Sequence, residues 1–277
     1  MDIIKIFYKK GSPMKLTKEQ IESFDKDGFL IVRDFANHTE CEAILDIAKI
    51  HLKYKIEPIE TESGYHDKSK KYRSDVLDYN SIRDTKEATV RRLRQVYSRD
   101  IIFKNWMENI EIRPALEQLL NDQVVITTAH HNSIMTKMPY YGTETRWHQD
   151  RRYWHFSDNN LLSVWLALGE ENSDNGVLEF IPGSHKMSFD MEQFDEKEYF
   201  REDYSKNIPL IEKKVSTTLQ KGDIVFFHSL LLHRANANRT DKPKISFVYT
   251  VKGAKTKSLK RTRSSEYPEI YLDKLGG

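Results

Sequence analysis

The chain has 277 residues, 31% of them charged, yet its formal net charge is only +2, so no global electrostatic case for a nucleic-acid partner follows. Cys41 is the sole cysteine, which excludes intramolecular disulfides and a thiolate zinc site and fits a reducing compartment. No stretch is apolar for long enough to span a bilayer, and Met1 to Lys10 lacks the apolar core of a secretory signal, so the expected location is the cytoplasm.

Residues 1–13 read as an N-terminal extension. From Leu16 a capped helix is expected, with Thr17 as N-cap, Gln20 closing a capping box, and Leu16, Ile21 and Phe24 as its apolar stripe. Asp27-Gly28 ends it, and Phe29 to Val32 reads as a short buried strand. A second helix follows, capped by Thr39, with Cys41, Ile44, Leu45, Ile47 and Ala48 apolar. Residues 57–73 are polar, hold Pro58 and Gly64 and show no period; they are expected as a mobile loop or lid, with Tyr65, His66 and Arg73 available to a ligand. Lys86 to Trp106 has Val90, Leu93, Val96 and Tyr97 at helical spacing, which predicts a helix with Arg91, Arg92 and Arg94 on a solvated face. Pro114 opens a further helix to Leu120. Residues 16–121 are thus expected to be a mostly helical flank.

After Val124 the character changes. β-rich segments recur at 124–137, 146–153, 161–167, 177–181, 214–219, 223–227 and 245–251, divided by turns such as Asp174-Asn175-Gly176 and Pro182-Gly183-Ser184. Short strands without alternating helices argue for an antiparallel sandwich or jelly roll. The expectation is one domain over 1–277, mainly β with helical additions: N-terminal helices, a jelly-roll core over 122–254 and an exposed basic tail over 255–277. Glu192 to Lys206 is an acidic, aromatic insertion to which the pattern assigns no structure.

Chemistry concentrates at His148-Gln149-Asp150. On an extended segment the imidazole and the carboxylate share one face and can grip one metal ion. A second imidazole from a distant strand completes a 2-His-1-carboxylate set with open positions for non-haem Fe(II). The tripeptide alone equally fits a surface strand with a salt-bridged Asp. Both His228 and His233 are candidates for the second imidazole, and five residues of regular strand would put them on opposite faces.

Four features occur in order: His148-x-Asp150; Asn175-Gly176-Val177-Leu178 with Pro182-Gly183-Ser184-His185; Lys221-Gly222-Asp223 through His228; and His233 with Asn238-x-Thr240. Together with Leu16-Thr17-x-Glu19-Gln20 and Asp27-Gly28-Phe29-Leu30, this resembles the phytanoyl-CoA dioxygenase family of Fe(II)- and 2-oxoglutarate-dependent oxygenases over residues 16–251. The resemblance implies a double-stranded β-helix (cupin-like) core, Fe(II) held by His148, Asp150 and His233, and O₂ and 2-oxoglutarate as cosubstrates. It also implies hydroxylation at an unactivated C–H bond with release of succinate and CO₂, since halogenating relatives lack the carboxylate of Asp150.

The family's clamp for the far carboxylate of 2-oxoglutarate is an arginine eleven residues after the distal histidine. Lys244 stands there, a point charge without the bidentate fork. Trp165 and Ser133 match residues lining the cosubstrate pocket. Ala235 departs from relatives that carry a hydroxyl. His130 and His131 precede the motif on a strand that can line the barrel, and His185 reads as a turn-stabilising residue. Arg146 and Arg152 share the parity of the metal pair, so the expected substrate is a small anion such as a carboxylate, a phosphate or an acyl-CoA; the alternative is surface salt bridges with Glu144 or Asp158. Two other classes stay open: a non-catalytic cupin-like binding module with a vestigial metal site, and a nucleic-acid binder through Arg91–Arg94 and Lys255–Arg263. These basic runs lack aromatics for base stacking.

Overall fold

A computed structural model of the chain describes residues 5–7, 11–62, 65, 89–139 and 141–273; His66 and Arg73, named above, lie outside the described residues. Strand β1 (Lys5–Phe7) pairs in parallel with β2 (Phe29–Arg33), so the segment read as an extension adds an edge to a sheet. Between them runs α1 (Lys18–Asp27), with the expected Thr17–Gln20 capping box and a left-handed Gly28 as C-cap. Helix α2 (His38–Lys53) is capped by Asn37, whose side chain accepts from Thr39 N; the expected cap, Thr39, is already helical.

The expected helix over 86–106 is not there. Val90–Arg94 is strand β4, followed by a left-handed Gln95 and a single 3₁₀ turn, and the helix α3 spans only Ile101–Met107. The strand paired with β4, β3 (Ile59–Thr61), comes from the segment expected to be a loop. Alternation explains why: Leu93 joins the core under the helices, while Arg92 and Arg94 point to the other face. The arginines are not on a solvated face. Arg91 is 2% exposed and donates to Glu62 at 2.7 Å, and Arg92 lies 3.3 Å from Glu60. These acids lie some thirty residues upstream, so no local pattern announces that the charges are matched.

Helix α4 (Arg113–Leu120) leads into the long β5 (Val124–Lys137). Next come β6 (Thr145–His148), β7 (Leu161–Ala167), β8 (Leu178–Phe180), the short α5 (Ile208–Ile211), β9 (Val215–Ser216), β10 (Ile224–His228), β11 (His233–Ala235) and β12 (Lys244–Gly253). The larger sheet runs β1-β2-β10-β7-β12-β5-β4-β3, and the smaller runs β6-β11-β8-β9. Chain ends close the structure: α6 (Arg263–Glu266) and β13 (Glu269–Tyr271) pack on β5, with Arg263, Ser264 and Leu272 buried. The tail is therefore not simply exposed, and the sheet draws β1 to β4 and β13 from outside 122–254.

Both faces of the larger sheet are covered. Leu162, Val164, Leu166, Phe226, Phe247 and Val251 meet the helices, including Phe24, Ile44, Phe103 and Leu116. Their strand neighbours Trp165, Ala167, Val225, Phe227 and Val248 face Leu178 and Phe180 of the smaller sheet. Two sheets, antiparallel but for the β1–β2 edge, closed around this inner core make a double-stranded β-helix of the cupin type. One irregularity matters for the site. Tyr249 pairs with Asn132 but Thr250 pairs with Thr127, so residues 128–131 bulge from β12 and re-aim His130 and His131.

Candidate active site

Register brings the distant histidine in. β11 pairs with β6 with His233 opposite His148, and the two rings lie 4.2 Å apart. Strand β6 ends at His148, and Asp150 opens a 3₁₀ turn. The expected strand over 146–153 is thus corrected, and the carboxylate reaches the imidazoles through the turn instead of by strand parity. Its Oδ1 is 3.7 Å from each Nε2, and one ligand atom from each of the three residues falls within 4.8 Å of the others. His228 is not one of the three: its ring lies 5.2 Å from that of His185, tilted by 47°. His185 Nε2 bonds Asp25 O, tying the turn to α1.

The proton inventory fits a divalent metal. His148 Nδ1 lies 2.8 Å from Arg146 O and His233 Nδ1 2.9 Å from Leu231 O; carbonyls only accept, so both Nδ1 atoms carry the proton and both Nε2 lone pairs point inward. Burial, then the neighbouring His233, keeps the His148 pKa well below the usual imidazole value, so no proton competes with a metal there at neutral pH. Two imidazoles presenting Nε2 and one carboxylate are a donor set for non-haem Fe(II). Asp150 Oδ2 accepts from Ser163 Oγ at 3.0 Å, and Ser163 Oγ is 3.2 Å from His131 Nδ1. His131 Nε2 returns to within 3.3 Å of Asp150 Oδ1.

A cavity opens on each side. One is bordered by Arg92, Arg94, Arg152 and Arg263, with Ser133 and His131 on its wall. The other runs from His148 and His233 past Phe227, Val248 and Trp165 to Lys137 and Lys244. Apolar walls with a cationic end suit a short oxo acid. Burial, with the nearby Arg91 and Lys244 charges, holds the Lys137 ammonium pKa well below its ordinary value.

The remaining expected residues fall as follows. Trp165 borders the second cavity, and Lys244 ends it while paired with Glu171 at 3.0 Å. Arg152 lies 4.1 Å over the Tyr199 ring. Arg146 pairs with Asp195 at 2.7 Å, neither Glu144 nor Asp158 being its partner, and is absent from the cavity wall. Arg92, Arg94 and Arg263 were missed, having been read as surface charge. Glu171 and Lys137 were missed too; only Lys137, closing an alternating strand before a Pro-containing turn, left a trace in the pattern.

A metal-ready 2-His-1-carboxylate group inside a double-stranded β-helix defines the class: a non-haem iron, 2-oxoglutarate-dependent dioxygenase. The profile described as phytanoyl-CoA dioxygenase matches residues 24–246, and the chain belongs to that family. The ectoine dioxygenase of Bordetella bronchiseptica is 23% identical over 245 residues, 83% of this chain and 73% of that protein. Mouse peroxisomal phytanoyl-CoA dioxygenase is 32% identical over 123 residues, 40% of this chain and 35% of its own length. Among solved structures, EctD from S. alaskensis with bound Fe has a TM-score of 0.71 at 18% identity, covering 96% of this chain and 89% of that one. The carbocyclase SnoK from nogalamycin biosynthesis has a TM-score of 0.67 at 20% identity, with 90% and 89% covered. Among the described residues no helix is long and apolar enough to cross a membrane.

Proposed function

We propose that this chain is one oxygenase domain that hydroxylates a small anionic metabolite at an unactivated C–H bond, with 2-oxoglutarate converted to succinate and CO₂. In this reading His148, Asp150 and His233 hold Fe(II), and 2-oxoglutarate lies between the metal and Lys244, alongside Trp165. Bound iron supplies the activation of O₂. The chain supplies orientation and a water-poor enclosure.

The observation that carries the choice of substrate is the charge of the first cavity. Four guanidinium groups, those of Arg92, Arg94, Arg152 and Arg263, border it against the carboxylates of Glu60 and Asp150. Asp150 is committed to the metal, so the wall a substrate meets is cationic and favours an anion in a low-dielectric site. Ser133, expected beside the cosubstrate, borders this first cavity and not the second, and offers a neutral donor here. Arg146, tied to Asp195, acts by holding Tyr199, on which it rests 4.7 Å from the ring centre.

The test is a metabolite screen with Fe(II), 2-oxoglutarate and air, reading succinate. Carboxylates or phosphates should dominate the turnover. If only neutral or cationic compounds turn over, the anionic assignment fails. If nothing does while metal still binds, the non-catalytic binding module takes its place.

A further inference from the structure

The second cavity ends in a finished binding site for a carboxylate, and that site is filled by the chain itself. Glu171 is fully buried on the connection from β7 to β8, where its backbone exchanges two 2.9 Å hydrogen bonds with Leu219. Its Oε1 accepts from Ser246 Oγ at 2.6 Å and Trp165 Nε1 at 3.1 Å; Oε2 accepts from Lys244 Nζ at 3.0 Å. The Lys244 ammonium also lies 4.9 Å from the centre of the Trp165 ring. A hydroxyl, an indole N–H and an ammonium thus converge on one carboxylate, at the far end of a cavity that begins at His148 and His233.

Two carboxylates cannot share that ammonium cheaply in so dry a place. They repel each other, and the second gains nothing from a charge already neutralised. We propose that Glu171 is an internal competitor for Lys244 that sets the selectivity of the cosubstrate pocket among 2-oxo acids. A dicarboxylic oxo acid has to take Lys244 away from Glu171, whereas a 2-oxo monocarboxylate binds with the Glu171–Lys244 pair intact. This inference rests on the second cavity being the oxo-acid pocket. The expected weakening follows from populations: if Lys244 is free in a fraction f of molecules, the apparent Kd for the dicarboxylate rises by 1/f, and the Kd of the monocarboxylate does not change.

Glu171→Gln keeps the acceptor for Ser246 and removes the competing charge. Binding of 2-oxoglutarate and of pyruvate is measured on the Fe(II)-loaded protein without oxygen, by calorimetry. The variant should bind 2-oxoglutarate about tenfold tighter or more, with pyruvate changed by less than about twofold. Unchanged or weaker binding of 2-oxoglutarate would overturn the proposal. That is the result expected if its far carboxylate goes instead to Lys137, which donates to Thr143 O at 2.6 Å and Ala235 O at 3.3 Å and has no carboxylate at ion-pair distance among the described residues.

Should the variant fail to fold, a crystal of the unmodified protein soaked with 2-oxoglutarate decides the matter. Glu171 displaced from Lys244 supports the competition, and a pair still in contact beside bound cosubstrate refutes it. If metal binds but neither oxo acid does, in either form, the reading of the pocket falls and the proposal goes with it.

Discussion

Replacing Ser163 by alanine removes one hydroxyl from a fully buried position on β7 that two polar groups of the site share. A hydroxyl has a single proton, and here it is directed at Asp150 Oδ2, 3.0 Å away, so the oxygen accepts from His131 Nδ1 at 3.2 Å. The substitution therefore removes the side-chain donor to one carboxylate oxygen and the acceptor for one ring N–H. A hydrogen bond to a charged acceptor contributes about 1.5–3 kcal/mol, and removing a group that orients a metal-binding carboxylate weakens metal binding by about 10–100-fold. On the free-energy scale that range is about 1.4–2.7 kcal/mol, so the two figures agree. The assay is competition for Fe(II) or Co(II) against a chromophoric chelator, with far-ultraviolet circular dichroism confirming the fold. Metal affinity within about twofold of the parent would refute the reasoning, because Asp150 would then be held by something other than Ser163.

His233→Ala should abolish stoichiometric metal binding, whereas His228→Ala, altering a ring that packs beside His185, should leave it intact; the reverse pattern in the same competition assay would reassign the ligand. Gly176→Ala should destabilise the fold by about 3 kcal/mol in urea unfolding, since φ is 85° and the new Cβ would meet Asn236 O at 2.2 Å. Stability should also fall as the solution is acidified. Burial, reinforced by the His185 charge, pushes the His228 pKa down to about 4 in the folded protein. Because the folded value is the lower one, its contribution is complete above the unfolded value, near 6.5, and is lost progressively as pH falls toward about 4. By pH 5 the loss from this residue is of order 2 kcal/mol, and His228→Gln should flatten the pH dependence of the urea midpoint between pH 7 and 5.

What the sequence could disclose divides along contact range. Strands β5, β7 and β12 were legible because each carries its reason locally, β-branched and apolar residues set between turn signals. His148, Asp150 and His233 were legible as a motif, though strand parity is not what joins them, since Asp150 sits in a turn and not on the strand. β4 failed for a different reason. Val90, Leu93 and Val96 fit a helical period, and three arginines in five residues look solvated until Glu60 and Glu62 are seen beside them. Glu171 is the same failure with larger consequences. In Gly169-Glu170-Glu171-Asn172 it reads as one of two turn acids, yet Glu170 is exposed and Glu171 is wholly enclosed by Lys244, Ser246 and Trp165. A buried charge is tolerated only beside its partner, and here the partner comes seventy-three residues later, on another strand. Buried charges such as Glu171 and Arg91 are therefore the residues least visible from local pattern: their burial is decided by strand pairing, and their chemistry by whatever that pairing brings alongside.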